Sequence, residues 1–372
     1  MKPLRVLQVV HGLHCGGTEM VIMNWLRNMD LNKIRFDFAL YTPEDNFFGK
    51  EVLSLKSRIF TITPSKFNSG KTSWQLAYNL YRTIKSKGPF IAIHTHEEQP
   101  FVAGLQMFAA WLACIPKRFT ISHVDRNVYS AKARTNVMKL FLGRLLIRLF
   151  SNHRLAVSRA AGIAMYGKYI SFDLIKNGID TSKFAFNNTV RKEIREKLRI
   201  SPNTFVLGTV GRLVEQKNPL FALQIFKELQ HHIKDSKLLM IGKGELKEKL
   251  IRKARDYELE ERLILLQDIK DVYKYYQVMD SFILPSLFEG LGIVLIEAQC
   301  SGLPCFASDV IPEEAFVCNI QKLSLSNSAP KWAEIIFKQT RNFRRTDQTD
   351  TIKKVGFDST EVSKSIQERY LK

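Results

Sequence analysis

The stretch Pro285-Ser-Leu-Phe-Glu-Gly-Leu-Gly-Ile-Val-Leu-Ile-Glu-Ala-Gln-Cys-Ser-Gly-Leu-Pro304 decides how this chain is read. The apolar run Ser281-Phe-Ile-Leu-Pro285 leads into it with the composition of a buried parallel strand. Gly290-Leu291-Gly292 supplies a turn with little steric hindrance, and Ile293 to Ala298 reads as the start of a helix. A strand, a glycine turn and a helix start aim free backbone N–H groups at one spot, where phosphate binds well. Glu289 falls at the strand end and Glu297 inside the helix. Both carboxylates accept hydrogen bonds and suit sugar hydroxyls on either side of a diphosphate. Two glutamates with seven residues between them say little alone, because glutamate is common. The setting gives the spacing its weight against the plainer reading of a structural strand, loop and helix.

Working outward, the 372 residues suffice for two domains, each with its own core. An apolar content of 45% with a mixed surface indicates a globular chain. Met1 to Arg5 leads directly into the strand Val6–Val10, so no secretory leader is read. The longest apolar window, Phe101 to Ile115, contains Gln106 and stops at Pro116, which makes it a buried helix too short to span a bilayer. Cys15, Cys114, Cys300, Cys305 and Cys318 are an odd, scattered set that suits reduced cytosolic thiols better than disulfides or zinc.

The charge is uneven. Residues 1–185 carry 26 Lys and Arg against 11 Asp and Glu, a net of +15; residues 186–372 carry 30 against 25, a net of +5. Lys117 to Arg159 alone holds ten basic residues and one acid, Asp125. Within it, Val137 to Phe150 spaces Lys139, Arg144 and Arg148 among large apolar residues. A basic amphipathic helix of this kind lies well on an anionic membrane. The plainer reading is a core-facing helix whose outer face is basic.

Strand and helix patterns alternate along both halves. Val6–Val10, Phe36–Tyr41, Ile91–His94, Phe119–Ser122 and Leu155–Ser158 read as strands of the first half. Phe205–Val210, Lys237–Ile241, Arg262–Leu266, Ser281–Pro285 and Pro304–Ala307 follow in the second, the last of these being the final clear strand. Such alternation implies parallel sheets covered on both faces. A connector after Asn177-Gly-Ile-Asp180 sets the boundary, giving residues 1–185 as a basic first domain and 186–350 as a second. Asn342 to Asp350 reads as an exposed loop, and residues 351–372 end the chain as a helix packing back on the first domain. Two doubly wound halves would leave a cleft at the carboxyl ends of both sheets, where such folds bind ligands.

A second segment, Gly208-Thr-Val-Gly-Arg-Leu-Val-Glu-Gln-Lys-Asn-Pro219, ends a strand at Gly211 and opens a helix at Pro219. Arg212 and Lys217 therefore share a loop at the sheet's carboxyl edge, where cations can clamp a diphosphate and stabilise its departing charge. Near the amino terminus, Val9-Val-His-Gly-Leu-His-Cys-Gly-Gly-Thr-Glu-Met20 places Gly16 and Gly17 between the first strand and a helix. This is not the GxGxxG dinucleotide fingerprint, which argues against a dehydrogenase. Ile93-His-Thr-His96 closes a strand, and His123 closes the next. Histidines at strand ends are often only satisfied polar residues, and His11 and His14 receive no role.

Together these segments resemble the retaining family-4 glycosyltransferases of GT-B fold, α/β proteins with two Rossmann-like, doubly wound domains facing across a cleft. The resemblance runs from Val6 to the final helix, with its nearest flavour in the bacterial capsular and exopolysaccharide enzymes, notably at Gly302-Leu-Pro-Cys305 and Ser308-Asp-Val-Ile-Pro-Glu313. It implies donor binding by Gly16, Gly17, Gly211, Arg212, Lys217, Gly242, Glu289, Gly290, Leu291, Gly292, Ile293 and Glu297. Catalytic duties would fall to His96, Glu289, Arg212 and Lys217, with His96 facing the donor sugar and His123 on the acceptor side. Glu297 would hold the ribose, the two cations the diphosphate, and Glu289 the sugar hydroxyls. Two departures stand out. Gln267, in Gln267-Asp-Ile-Lys-Asp271, replaces a small residue near the expected base pocket, and no Asp-x-Asp is present to hold a metal.

The expectation is a retaining, metal-independent enzyme without a cofactor, its nucleotide-diphosphate sugar (UDP foremost) being a substrate. It would transfer a hexosyl or N-acetylhexosaminyl group to a polyprenyl-diphosphate-linked saccharide, as a cytoplasmic protein peripheral on the inner face of the plasma membrane. Three rivals stay open: an epimerase or phosphorylase on the same fold, a non-catalytic partner subunit, and a basic nucleic-acid binder. The last lacks a recognisable reader motif, and its charge of +20 suits phospholipid equally.

Overall fold

The computed structural model describes residues 2–14, 16–42, 47–63, 72–123 and 137–372. Cys15, Asn46, Asp125 and the loop 67–71 lie outside the described residues. The chain forms two units: Met1–Gly178 with Ser359–Lys372, and Ile179–Asp358. The first unit thus ends ahead of the expected residue 185, and the second runs past the expected residue 350.

The first unit is built on β1 (Leu4–Val10), β2 (Ile34–Leu40), β3 (Ile59–Thr61), β4 (Ala92–Thr95), β5 (Lys117–Ser122), β6 (His153–Ala156) and β7 (Asp173–Leu174). They form one seven-stranded sheet in the order β3-β2-β1-β4-β5-β6-β7, every pairing parallel. The central strands are covered on both faces, β1 buried from Val6 to Val10 and β4 along its full length, as an all-parallel sheet requires. Helices Gly17–Asn28, Thr72–Lys87 and Pro100–Leu112 follow the strands, and the terminal helix Ser359–Leu371 packs on the first of these. Val362, Ile366 and Tyr370 are buried there.

The second unit repeats the plan with β8 (Phe205–Val210), β9 (Ser236–Ile241), β10 (Leu263–Leu266), β11 (Ser281–Leu284), β12 (Cys305–Ser308) and β13 (Ile320–Leu323). Their order is β10-β9-β8-β11-β12-β13, again parallel. Leu223, Phe226, Leu238, Met240 and Trp332 lie in its core. In both sheets the strand order reverses direction beside the first strand, between β1 and β4 and between β8 and β11. Doubly wound folds bind ligands beyond the carboxyl ends of strands at such a switch point.

Four expectations need correction. Pro304–Ala307 is not the final strand, because Ile320–Leu323 adds a partly exposed edge. The carboxyl terminus is two helices, Thr349–Lys354 and Ser359–Leu371. Gly356, at φ +82°, stops the first, as a left-handed residue beyond a helix end does. The segment 342–350 is more than an exposed loop. Arg345 donates to the carbonyls of Tyr276 (3.1 Å), Gln277 (3.2 Å), Met279 (3.1 Å) and Ser301 (2.6 Å). Burial lowers the pKa of this guanidinium to about 9. Finally, Arg144 does not join the exposed cations of Val137–Phe150. It turns inward to the carbonyls of Ile163 (3.3 Å) and Ala164 (3.0 Å), capping the helix Arg159–Tyr166.

Candidate functional site

At the second unit's switch point, two loops leave the ends of β8 and β11. Leu287 N–H donates to the Gln216 carbonyl at 2.8 Å, and Gln216 Nε2 donates to the Phe288 carbonyl at 3.1 Å. Gln216 Oε1 accepts from the exposed Arg212 guanidinium at 3.1 Å. Lys217 Nζ reaches Glu289 Oε1 at 2.5 Å, and the same oxygen accepts from Ser286 Oγ at 2.7 Å. Ser286 is anchored in turn, its carbonyl accepting from Ser308 Oγ of β12 at 2.6 Å. The Lys217 and Glu289 side chains are 17% and 6% exposed, so this ion pair is screened little by solvent. The two segments singled out in the sequence are therefore stitched into one surface.

Gly292 stands at φ +82° before the helix Ile293–Cys300, a backbone that favours glycine, and no side chain caps the first turn. Uncapped N–H groups there remain available to an anion. Glu297, half-buried one turn further on, accepts from Tyr276 Oη at 2.7 Å. Burial pushes its carboxyl up to about 7, while the Tyr276 bond and the charge of Lys217 pull the other way. Lys217 is thus electrostatically coupled to both glutamates.

Gly242 has a packing reason of its own. A Cβ there would come within 1.9 Å of the Gly211 carbonyl oxygen, and the turn it opens bonds Leu213 to Lys243 and Leu246. This contact locks the Arg212 loop from behind. Nearby, Gln267 Oε1 accepts from Lys247 Nζ at 3.4 Å.

In the first unit, Gly16 precedes the helix Gly17–Asn28, and a Cβ on Gly17 would meet nothing within 4 Å. Packing therefore does not explain glycine at position 17. His96 and His123 leave adjacent strands β4 and β5 and are joined, Nδ1 of His96 lying 2.9 Å from Nε2 of His123. His96 Nε2 lies 2.9 Å from Gln8 Oε1 on β1. Both rings are buried; burial holds His96 well below the usual imidazole range and brings His123 to about 4. They are neutral near pH 7. Gln8, Tyr276, Ser286 and Gln216 belong to these constellations, yet nothing in their local sequence marks them. Among the described residues, no three His, Cys, Asp or Glu side chains group to hold a metal ion.

The family model described as "Glycosyl transferases group 1" matches residues 190–328. The chain is 33% identical over 365 residues to a Bacillus subtilis (strain 168) protein named "Putative glycosyltransferase EpsF", covering 95% of this chain and 93% of the other. It is 33% identical over 306 residues to the Staphylococcus aureus "Capsular polysaccharide biosynthesis glycosyltransferase CapM", covering 76% and 73%. An Escherichia coli "UDP-Gal:alpha-D-GlcNAc-diphosphoundecaprenol alpha-1,3-galactosyltransferase" is 31% identical over 252 residues, 65% of this chain and 63% of the other. Among solved structures, Anabaena HepE in complex with UDP and glucose superposes with a TM-score of 0.79 at 18% identity, covering 98% of this chain and 99% of that one. That likeness is one of fold, the GT-B pair of Rossmann-like units. With near-complete coverage at 33% identity, the chain belongs to the group 1 glycosyl transferases.

Proposed function

We propose that this chain is a retaining glycosyltransferase of bacterial surface polysaccharide synthesis. It would take a hexosyl or N-acetylhexosaminyl group from a UDP-sugar and pass it to a saccharide carried on a polyprenyl diphosphate. The carrying observation is the Lys217–Glu289 pair beside Glu297 and an uncapped helix start, all at one switch point. Support for the nucleotide and the lipid carrier comes from the names of the Escherichia coli relative and of the HepE complex.

In this reading Glu297 takes the ribose, and Arg212, Lys217 and the N–H groups of Gly292 and Ile293 take the diphosphate. Gly290 and Leu291 shape the turn around it, and Glu289 receives the sugar's hydroxyls. The Gly16-Gly17 backbone faces the donor phosphate. A sugar hydroxyl replaces His123 at His96 Nδ1, and His123 is left on the acceptor side. The sugar C1–O bond to phosphate breaks while the acceptor oxygen bonds C1 on the same face. The departing phosphate takes the acceptor's proton, so no protein nucleophile is needed. Fixed cations stabilise the leaving charge in place of a metal.

The amino-terminal half would hold the acceptor at an anionic membrane surface, peripheral on its inner face. No helix among the described residues is long and apolar enough to cross a membrane. The test is binding of UDP, GDP, ADP and CDP, with NAD as control, to wild type and Glu297→Ala. We expect UDP alone to bind wild type, with at least tenfold weaker binding to the variant. Equal binding to both would remove Glu297 from the donor site, and no binding of any nucleotide would overturn the reading.

A further inference from the structure

The histidine pair of the first unit belongs to a longer hydrogen-bonded chain. Gln8 Nε2 donates to Tyr370 Oη at 3.2 Å, and that hydroxyl lies 2.6 Å from His94 Nδ1. On the other side of the same amide, Gln8 Oε1 meets His96 Nε2 at 2.9 Å, and His96 Nδ1 meets His123 Nε2 at 2.9 Å. The five residues come from β1, β4, the end of β5 and the terminal helix, and Gln8, His94 and Tyr370 are fully buried. Their rings stack, His94 on His96 at 4.6 Å and His96 on His123 at 5.2 Å between centroids, with Trp25 against His94 at 5.7 Å.

The direction of every bond follows from one group. A neutral imidazole has one donor and one acceptor nitrogen, and an amide oxygen only accepts. Gln8 Oε1 therefore requires the proton on His96 Nε2, which makes His96 Nδ1 a lone pair. His123 Nε2–H donates to that lone pair. At the other end, Tyr370 receives the Gln8 amide proton and passes its own to His94 Nδ1, leaving the His94 proton on Nε2. All three rings hold the same tautomer. Turning the Gln8 amide over would reverse every bond and move all three protons to Nδ1. The two ends, His94 Nε2 and His123 Nδ1, have no partner among the described residues, so neither end sets the direction. The tautomers are coupled through the middle, by Gln8 and Tyr370.

We propose that Tyr370 is a positioning residue for His96: by joining the Gln8 amide to His94 it makes the three rings hold one tautomer as a unit, so that His96 presents Nδ1 as an acceptor. An acceptor there receives a sugar hydroxyl's proton, whereas an N–H would demand a lone pair instead. Each ring's own preference adds to the others' through the shared chain, and removing the hydroxyl separates His94 from the pair. The role rests on the placement of His96 at the donor sugar proposed above.

The experiment is long-range 1H–15N spectroscopy of histidine-labelled full-length protein near pH 7, in wild type and Tyr370→Phe. Phenylalanine keeps the buried ring and removes only the hydroxyl. We expect all three wild-type rings in one tautomer, and mixed tautomers at His94 and His96 in the variant. With the same UDP-sugar and acceptor, kcat should fall roughly 10- to 100-fold, the range seen when partners orienting metal-bound histidines are lost, with KM for the donor within about twofold. Wild-type rings in different tautomers, or an unchanged variant spectrum, overturn the proposal whether or not activity changes. Mixed tautomers with unchanged kcat overturn the positioning role when His96→Ala is slow. If His96→Ala itself turns over at the wild-type rate, the placement of His96 at the sugar fails instead.

Discussion

Glu297 shows how one residue's surroundings set its chemistry. A glutamate on a helix surface would be ionised at neutral pH, but this one is half-buried under Tyr276, and its carboxyl is pushed up to about 7. If it holds the ribose as proposed, it has to be ionised to accept hydrogen bonds on both oxygens. UDP-sugar affinity should therefore rise roughly tenfold between about pH 6 and pH 8, as a single carboxyl near 7 loses its proton. The diphosphate of a UDP-sugar has no proton to lose in that range, so the slope belongs to the protein. Stability moves the other way. The folded state keeps a proton that the unfolded chain gives up near 4.5, so Glu297's contribution declines as pH rises from there through about 7. Calorimetric titration of wild type and Glu297→Gln checks both, since glutamine should flatten both profiles. A Glu297→Gln protein that keeps the wild-type affinity slope would assign the titration to another group. The sequence marked Glu297 by its spacing, but not its pKa, because the burial that raises it and the Tyr276 bond that partly offsets it both come from tertiary packing.

At the scale of elements, the parts of the site that were legible are those built from contiguous residues. In Gly208–Pro219 and Pro285–Pro304 the strand, the glycine and the helix start follow one another, so local rules place the cations and carboxylates correctly relative to the sheet edge. Gly356 was a readable stop that the apolar pattern of the last residues masked. The short strands Ile59–Thr61, Asp173–Leu174 and Ile320–Leu323 could not be read, because they are partly exposed and too short for a period to show. Gln8 and Tyr370 were equally invisible, since 362 residues separate the partners of that bond. Glycines divide the same way, into those demanded by packing and those left free. Gly242→Ala would drive a methyl into the Gly211 carbonyl, displacing the Arg212 loop, and should cost about 1–3 kcal/mol in urea unfolding together with most nucleotide affinity. Gly17→Ala meets open space at the first position of a helix, so it should keep or raise stability by roughly 0.5 kcal/mol. If the Gly17 backbone faces the substrates, turnover of that stable variant should nonetheless fall. Full activity in Gly17→Ala would take this loop out of the site.

Across the whole molecule the first 185 residues carry most of the net charge, +15 of +20, and apolar side chains there are also left in solvent. On the helix Val137–Phe150, Val137, Phe141 and Leu149 are 78%, 68% and 62% exposed, alongside exposed Lys139 and Arg148. This helix packs on Pro100–Leu112, which exposes Trp111 and Leu112, and that helix packs on Thr72–Lys87, which exposes Trp74 and Tyr78. Tryptophan and tyrosine beside lysine and arginine suit the boundary between lipid headgroups and acyl chains. Arg144 serves a different end, since its guanidinium is spent on the carbonyls of Ile163 and Ala164. The two kinds of cation should separate in experiment. Binding to vesicles rich in phosphatidylglycerol should weaken about tenfold when Phe141 and Leu149 are both replaced by serine, from lost apolar burial. Lys139→Glu and Arg148→Glu should each cost on the order of 1 kcal/mol of the same binding, and the loss should fade as salt is added. Arg144→Ala should lower thermal stability by about 1 kcal/mol and leave vesicle binding unchanged. Vesicle flotation at several salt concentrations reads all of these together. Equal flotation with uncharged phosphatidylcholine, or binding to DNA of matching strength and salt dependence, would show that the basic half is not a membrane-facing surface.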